Sequence, residues 1–213
     1  MLPEHIRRAD ALRYLGGAGI APDARMTALL DAAEAELLAA AKPKYLYQIV
    51  PLPCDELTRG ADIRAHLAGC DRAVVLCATL GAAVDRLIRV SQVGDMPRAV
   101  VLDALAGVLI EQVCEGVDRL LASQMPDAYF TFRFSPGYGD YPLTLQRDFL
   151  RLLDAPRKIG LSMTDSFLLT PSKSVTAIAG ISASPIPKQR RGCVICSLRD
   201  SCPYQRKGTH CGF

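Results

Sequence analysis

The sequence predicts an α+β fold: a twisted, mostly antiparallel sheet with long flanking helices, followed by a short Cys-rich C-terminal tail. Three observations lead there. Candidate helices and strands follow one another without the regular strand–helix–strand rhythm of a doubly wound parallel sheet. Residues 97–123 read as one long helix whose stretch 99–110 is apolar nearly all round, the mark of burial on most of its faces. Residues 129–134 alternate strictly, which suits a strand with one face on a core.

Taken in order, residues 4–15 read as a helix, and a long Ala/Leu/Glu segment from 23 to 41 follows, started by Pro22 and stopped at Pro43. Residues 45–50 read as a strand and 61–68 as a short helix. The continuous apolar run 73–78, bounded by Asp71 and Gly81, suits a strand buried on both faces, and 81–89 reads as a helix. The central helix has Asp95 as cap and Pro97 in its first turn. Its only charge between 99 and 110 is Asp103. Ala104, Val108 and Glu111 share one stripe, so Glu111 continues a buried face and needs a partner, a ligand or an exit to water. In 129–134, Phe130, Phe132 and Phe134 face one way and Arg133 the other. A Gly/Pro loop covers 135–141, and a helix begun by Pro142 carries Leu145, Phe149, Leu152 and Leu153 on one side. Short strands are expected at 159–163, 166–169 and 174–181, and the composition turns to Pro and basic residues from 183.

Composition narrows the class. A chain of 213 residues, half of them apolar, supports a real core and excludes fibrous and wholly disordered classes. Asp103, Glu111, Asp165 and Lys173 interrupt every apolar run before the roughly 20 residues a bilayer needs. The opening MLPEHIRRAD has no apolar leader, so a cytoplasmic protein is expected. The basic character sits in the tail, where Lys188, Arg190, Arg191, Arg199, Arg206 and Lys207 oppose only Asp200. Such a tail suits an acidic partner, a nucleic acid or an anionic cofactor of its own. Cys54, Cys70, Cys77 and Cys114 are scattered through the body and read as reduced, small hydrophobes.

The richest stretch of the body is RFSPGYGDYP, residues 133–142. A strand delivers the guanidinium of Arg133, and Gly137 and Gly139 let the backbone turn sharply or approach a ligand closely. Tyr138 and Tyr141 add flat faces and hydroxyls. An Arg, exposed amides and an aromatic suit a ligand bearing a carboxylate and a flat ring. No P-loop, dinucleotide-binding loop or hydrolase triad accompanies it; Gly16-Gly17-Ala18-Gly19 follows a helix and reads as a helix stop.

This stretch resembles the R-x-[AS]-P-G-Y-x-x-x-P signature of the activation domain of cobalamin-dependent methionine synthase. Residues 161–178, LSMTDSFLLTPSKSVTAI, are similar to the second element of that family, L-T-E-S-F-x-x-x-P-x-x-S-V-S-G, in the right order and spacing. The resemblance implies an activation-like domain over 1–182. It would bind S-adenosylmethionine and lie over the corrin of cobalamin on a partner. One electron from a separate donor would reduce inactive cob(II)alamin, and a methyl from S-adenosylmethionine would trap the cob(I)alamin so formed and return it to service. By motif match, Arg133 pairs with the ligand carboxylate, Ser135 and Gly137 offer backbone, Tyr138 lies between ligand and corrin, and Glu111 faces the ligand's positive groups. The segment 164–167 shapes the pocket floor. A further Tyr of the family is replaced here by AGISASPIP, and an N-terminal acid of the family has no clear counterpart, Asp10 and Asp23 being the choices. The D-x-H-x-x-G cobalamin motif is absent, so the chain would be an activation subunit, insufficient alone. Its partner would be a methionine synthase on a separate polypeptide, served by an electron donor such as ferredoxin or flavodoxin.

The tail, 183–213, adds Cys193, Cys196, Cys202 and Cys211, four thiols that suit a four-cysteine iron–sulfur cluster or tetrahedral zinc. Cys202-Pro203 and the flanking cations favour the anionic cluster, and zinc stands second because it carries no electron. Two rival functions remain at this level. One is a reductive activator for another corrinoid methyltransferase, and the other is a non-catalytic, zinc-ordered docking module. A nucleic-acid or membrane partner is not expected.

Overall fold

A computed structural model describes residues 2–17, 20–186 and 201. The elements are α1 (Arg8–Tyr14), α2 (Ala24–Ala40), β1 (Lys44–Pro51), α3 (Ala61–His66), β2 (Arg72–Thr79), α4 (Ala82–Gly94), α5 (Met96–Gln124), β3 (Tyr129–Phe130), a 3-10 turn (Leu143–Leu145), α6 (Gln146–Leu153), α7 (Ala155–Ile159), β4 (Ser162–Met163), β5 (Leu169–Thr170) and β6 (Ser174–Ser182). Among the described residues no helix is long and apolar enough to cross a membrane. The expectations for 187–200 and 202–213, including the four tail cysteines, lie outside the described residues.

The main sheet has the order β1-β2-β6-β3 with every neighbouring pair antiparallel, which bears out the α+β expectation. β2 is central. Ala73, Val75 and Cys77 pack with Ile63, Phe134, Phe149 and Ile178 on one face. Val74 packs with Val117, Leu121 and Ile181 on the other. A strand covered on both sides needs apolar residues at every position, hence the unbroken run 73–78. Each Val or Leu buried there contributes about 1.5–3 kcal/mol.

α5 owes its apolar circumference to its place between the sheet and an outer layer of α1, α2 and α4, on which Leu102, Leu105 and Leu109 pack. Asp95 Oδ1 caps it, accepting from the Arg98 amide at 3.0 Å. Asp23 caps α2 in the same way, accepting from the Met26 amide at 2.7 Å. Glu34 of α2 anchors the N-terminal segment, accepting from the Ile6 amide at 2.8 Å and from Arg8 Nε at 2.8 Å. α1 begins at Arg8 rather than residue 4, because Ile6 turns in to pack against this layer.

The alternating stretch departs from expectation. Only Tyr129–Phe130 is strand, pairing with β6 as Phe130↔Ile181; four residues on, Phe134 bridges Ile178 rather than Ala177. One extra residue on this side shifts the register by one and flips the following side chains to the other face. Phe130 therefore packs with the α5 side, while Phe132 and Phe134 join the α3–α6 side. The second correction is α7, where a strand was expected to begin at 159. Pro156 in its first turn and Gly160 in the left-handed region at its end bracket a short helix.

Candidate functional site

The shift in register aims Arg133 at α5. Its Nη2 donates to Glu111 Oε2 at 2.7 Å and its Nη1 to Asp118 Oδ2. Seven residues separate the two acids, so they share one stripe of the helix, with the buried thiol of Cys114 between them. The Arg133 side chain is 16% exposed and the two carboxylates about 45%, so the cation sits at the bottom of an acidic notch. Burial pushes the Asp118 carboxyl up, Arg133 pulls it down, and Glu111 and Glu115 push it up again; it stays above its ordinary value. Burial drives the thiols of Cys77 and Cys114 up to about 12, so both are protonated packing groups.

The loop after Phe134 folds back on itself. The Gly137 amide donates to the Tyr141 carbonyl at 2.8 Å, and the Tyr138 amide to the Ser135 carbonyl at 3.1 Å. Gly137 has φ +98°, a conformation that favours glycine. Tyr138 is half exposed and stands edge-on to Phe134, 5.7 Å between centroids. Burial and the Glu111 carboxylate push its phenol up, so it remains a hydroxyl donor.

Beside this notch a cleft of about 660 Å³ runs along α5, walled by Tyr14, Met96, Asp103, Gly107, Glu111 and Lys173. That volume falls within the range of small-molecule sites. Lys173 Nζ meets Asp103 Oδ1 at 2.8 Å across it. The turn bearing Lys173 is fixed by Asp85 of α4, whose carboxylate accepts from the Ser172 amide at 2.7 Å and its hydroxyl at 3.0 Å. A Cβ at Gly107 would meet nothing within 4 Å, so this glycine leaves the middle of the cleft open.

A family model matches residues 68–185, that of the vitamin B12 dependent methionine synthase activation domain. The chain belongs to this family. Among solved structures it is similar to the crystal structure of the MetH reactivation domain bound to AdoHcy, with a TM-score of 0.62 at 16% identity, over 97% of this chain and 82% of that one. A comparison with curated proteins finds no match.

In this activation domain the expected site residues divide between the notch and the cleft. Glu111 belongs to both, which makes it the hinge of the site. Arg133 and Tyr138 approach it from the loop, and Ser135 and Gly137 shape that loop. Asp10 is bound to Arg7, Asp23 caps α2, and neither is among the residues that wall the cleft. Residues 164–167 form the tip of the β4–β5 hairpin, held to α6 by Gln146 Nε2 on the Phe167 carbonyl at 2.5 Å, and lie outside the cleft walls. The second half of the same element, residues 172–175, does wall the cleft. Sequence reasoning missed Asp118, although its i+7 spacing from Glu111 was visible. It also missed the pairing of Asp103 with Lys173, for which the lone charge in an apolar helix was the available signal. Among the described residues no group of three or more His, Cys, Asp or Glu is placed to hold a metal ion.

Proposed function

We propose that this activation domain binds S-adenosylmethionine along α5 and presents it to the corrinoid of a methionine synthase held on a separate polypeptide, as the methyl donor of reductive reactivation. The observation that carries the reading is Glu111: it walls the cleft and also grips Arg133 at the start of the signature loop. The donor set fits such a ligand. Arg133 and Lys173 match a carboxylate, Asp103, Glu111 and Asp118 match an ammonium and a sulfonium, and Tyr14 and Met96 offer apolar wall to an adenosyl group. The AdoHcy bound in the structural neighbour is the demethylated form of this ligand.

When bound, the ligand supplies an electrophilic methyl that traps the one-electron-reduced corrinoid of the partner. The chain's own residues bind and orient. Arg133 releases part of its hold on Glu111 or Asp118 to take the carboxylate, and the freed acid faces the positive groups. Tyr138 closes the outer side with its ring, and the apolar wall keeps water from the methyl.

The tail extends the proposal. Cys193, Cys196, Cys202 and Cys211 would hold an iron–sulfur cluster, which would supply one-electron chemistry with a ferredoxin or flavodoxin as donor; the spacing and the flanking cations support it. The test is anaerobic calorimetry of S-adenosylmethionine against the wild type, Arg133→Ala and Tyr138→Ala. Binding by the wild type that weakens at least tenfold in Arg133→Ala is expected. Equal affinity in all three overturns the site, and no binding by the wild type overturns the ligand.

A further inference from the structure

Residues 137–140 of the signature loop are exposed, and apart from the ring of Tyr138 on Phe134 little apolar packing holds them; polar contacts do. Asp140 Oδ2 accepts from the Ala61 amide at 2.6 Å, and its Oδ1 accepts from the Asp62 amide at 3.0 Å. Asp62 Oδ2 in turn accepts from the Asp140 amide at 3.0 Å. Each segment also shows the other a glycine. A Cβ on Gly139, which has φ +51°, would lie 2.0 Å from Asp62 Oδ2; one on Gly60, with φ +133°, would lie 2.7 Å from Asp140 Oδ1. The two segments therefore interlock: a carboxylate from each fills the space a side chain would take on the other.

Two more ties run alongside. The Tyr141 hydroxyl donates to the Leu57 carbonyl at 2.6 Å, and the Phe132 carbonyl accepts from His66 Nε2 at 2.8 Å. Residues 57–66 thus splint residues 132–141 at both ends and at the clasp. Neither Asp62 nor Asp140 walls the cleft, so neither touches a ligand there.

We infer that Asp62 and Asp140 are positioning residues: their reciprocal clasp fixes the loop that sets Arg133 and Tyr138 against Glu111, and so sets ligand affinity from outside the site. The inference rests on the S-adenosylmethionine reading above for its affinity arm, and on the loop alone for its structural arm. The amides of Ala61 and Asp62 also hold the Asp140 carboxyl below its ordinary value, so it clasps them as a carboxylate at neutral pH.

The test uses the full chain and two readouts, amide exchange over residues 137–141 and calorimetric affinity for S-adenosylmethionine. Asp62→Ala should speed exchange in the loop and weaken binding about three- to tenfold, the scale of one or two lost hydrogen bonds, while α5 exchange stays as in the wild type. Asp62→Asn keeps an acceptor for the Asp140 amide and should restore both. Gly139→Ala should loosen the loop in the wild type and do so less in the Asp62→Ala background, because the opposing oxygen is gone; it also carries the test if Asp62→Ala does not fold. Unchanged loop exchange in Asp62→Ala overturns the clasp, as does acceleration shared equally by α5. Faster loop exchange with unaltered affinity overturns the positioning role. A wild type that binds no S-adenosylmethionine, with the exchange response intact, overturns the ligand reading and supports the clasp.

Discussion

Glu111 and Asp118 lie seven residues apart on α5 and close on the same guanidinium, that of Arg133. The pair makes the helix an acidic grip rather than a passive wall. It also explains how a largely apolar helix tolerates carboxylates halfway into its packed length: the segment just after β3 brings their counter-ion. With both acids near half exposure, the grip can be exchanged for a ligand without stranding a charge in the core.

Removing that counter-ion gives a pH-dependent defect. Arg133→Ala should destabilise the fold by about 1–2 kcal/mol at pH 7, less than a fully buried pair because water screens the acids. The Asp118 carboxyl already stands above its ordinary value of 3.8, so the folded state binds more protons than the unfolded one and stability falls as pH rises past that value. Without Arg133 the carboxyl rises further. The difference in melting temperature between wild type and variant should therefore open between pH 4 and pH 7, and a gap constant across that window rules the account out.

Glu34 predicts the opposite slope. Its side chain is 5% exposed; burial pushes its carboxyl up, but the Ile6 amide and Arg8 outweigh that and leave it below 4.5. This stabilisation is present above the unfolded value and is lost as pH falls through the lower folded value. Glu34→Gln should cost about 2 kcal/mol at pH 7, with the gap to wild type closing below pH 4.5. Thermal melts at pH 3.5, 5 and 7 check it.

How much of this was legible in the sequence depended on whether the signal was local. The cap Asp95, the doubly buried β2 and the long α5 were read correctly, because each is set by its own residues and a few neighbours, whereas the capping role of Asp23 was not read. The turn of Phe132 and Phe134 away from Phe130 was not legible. A one-residue shift in register is decided by the partner strand, and alternation in one strand cannot report it. The same holds at the site. Glu111, Arg133 and Tyr138 stood out in a motif, whereas Asp118 and the Asp103–Lys173 pair gain meaning only when α5 lies beside the loop and the 172–175 turn. The Asp62–Asp140 clasp joins segments 78 residues apart and carried no sequence signal at all.

The tail gives a prediction about metal. Protein purified without oxygen, or reconstituted with iron and sulfide, should show a brown chromophore and iron with inorganic sulfide in equal amounts. The Cys193→Ala and Cys202→Ala variants should lose both. Zinc without iron would favour the docking role of the tail, and a colourless, metal-free chain would remove the relay. Affinity for S-adenosylmethionine should survive loss of the cluster, because among the described residues the walls of the cleft along α5 all belong to the body.

Gly107 separates stability from ligand access. It sits inside α5, where glycine costs about 0.5–1 kcal/mol relative to alanine, and a Cβ there meets nothing within 4 Å. Gly107→Ala should therefore raise the melting temperature by about 2–4 °C, since each kcal/mol shifts a chain of this size by that amount. A single methyl takes little of a cleft of about 660 Å³, so binding of S-adenosylmethionine should change less than threefold. Gly107→Leu keeps the gain in helix propensity but fills the middle of the cleft. It should fold at least as well as the wild type and bind at least tenfold more weakly. If Gly107→Leu folds and binds as the wild type does, the ligand does not lie along this face of α5, and the notch at Arg133 would have to hold it alone.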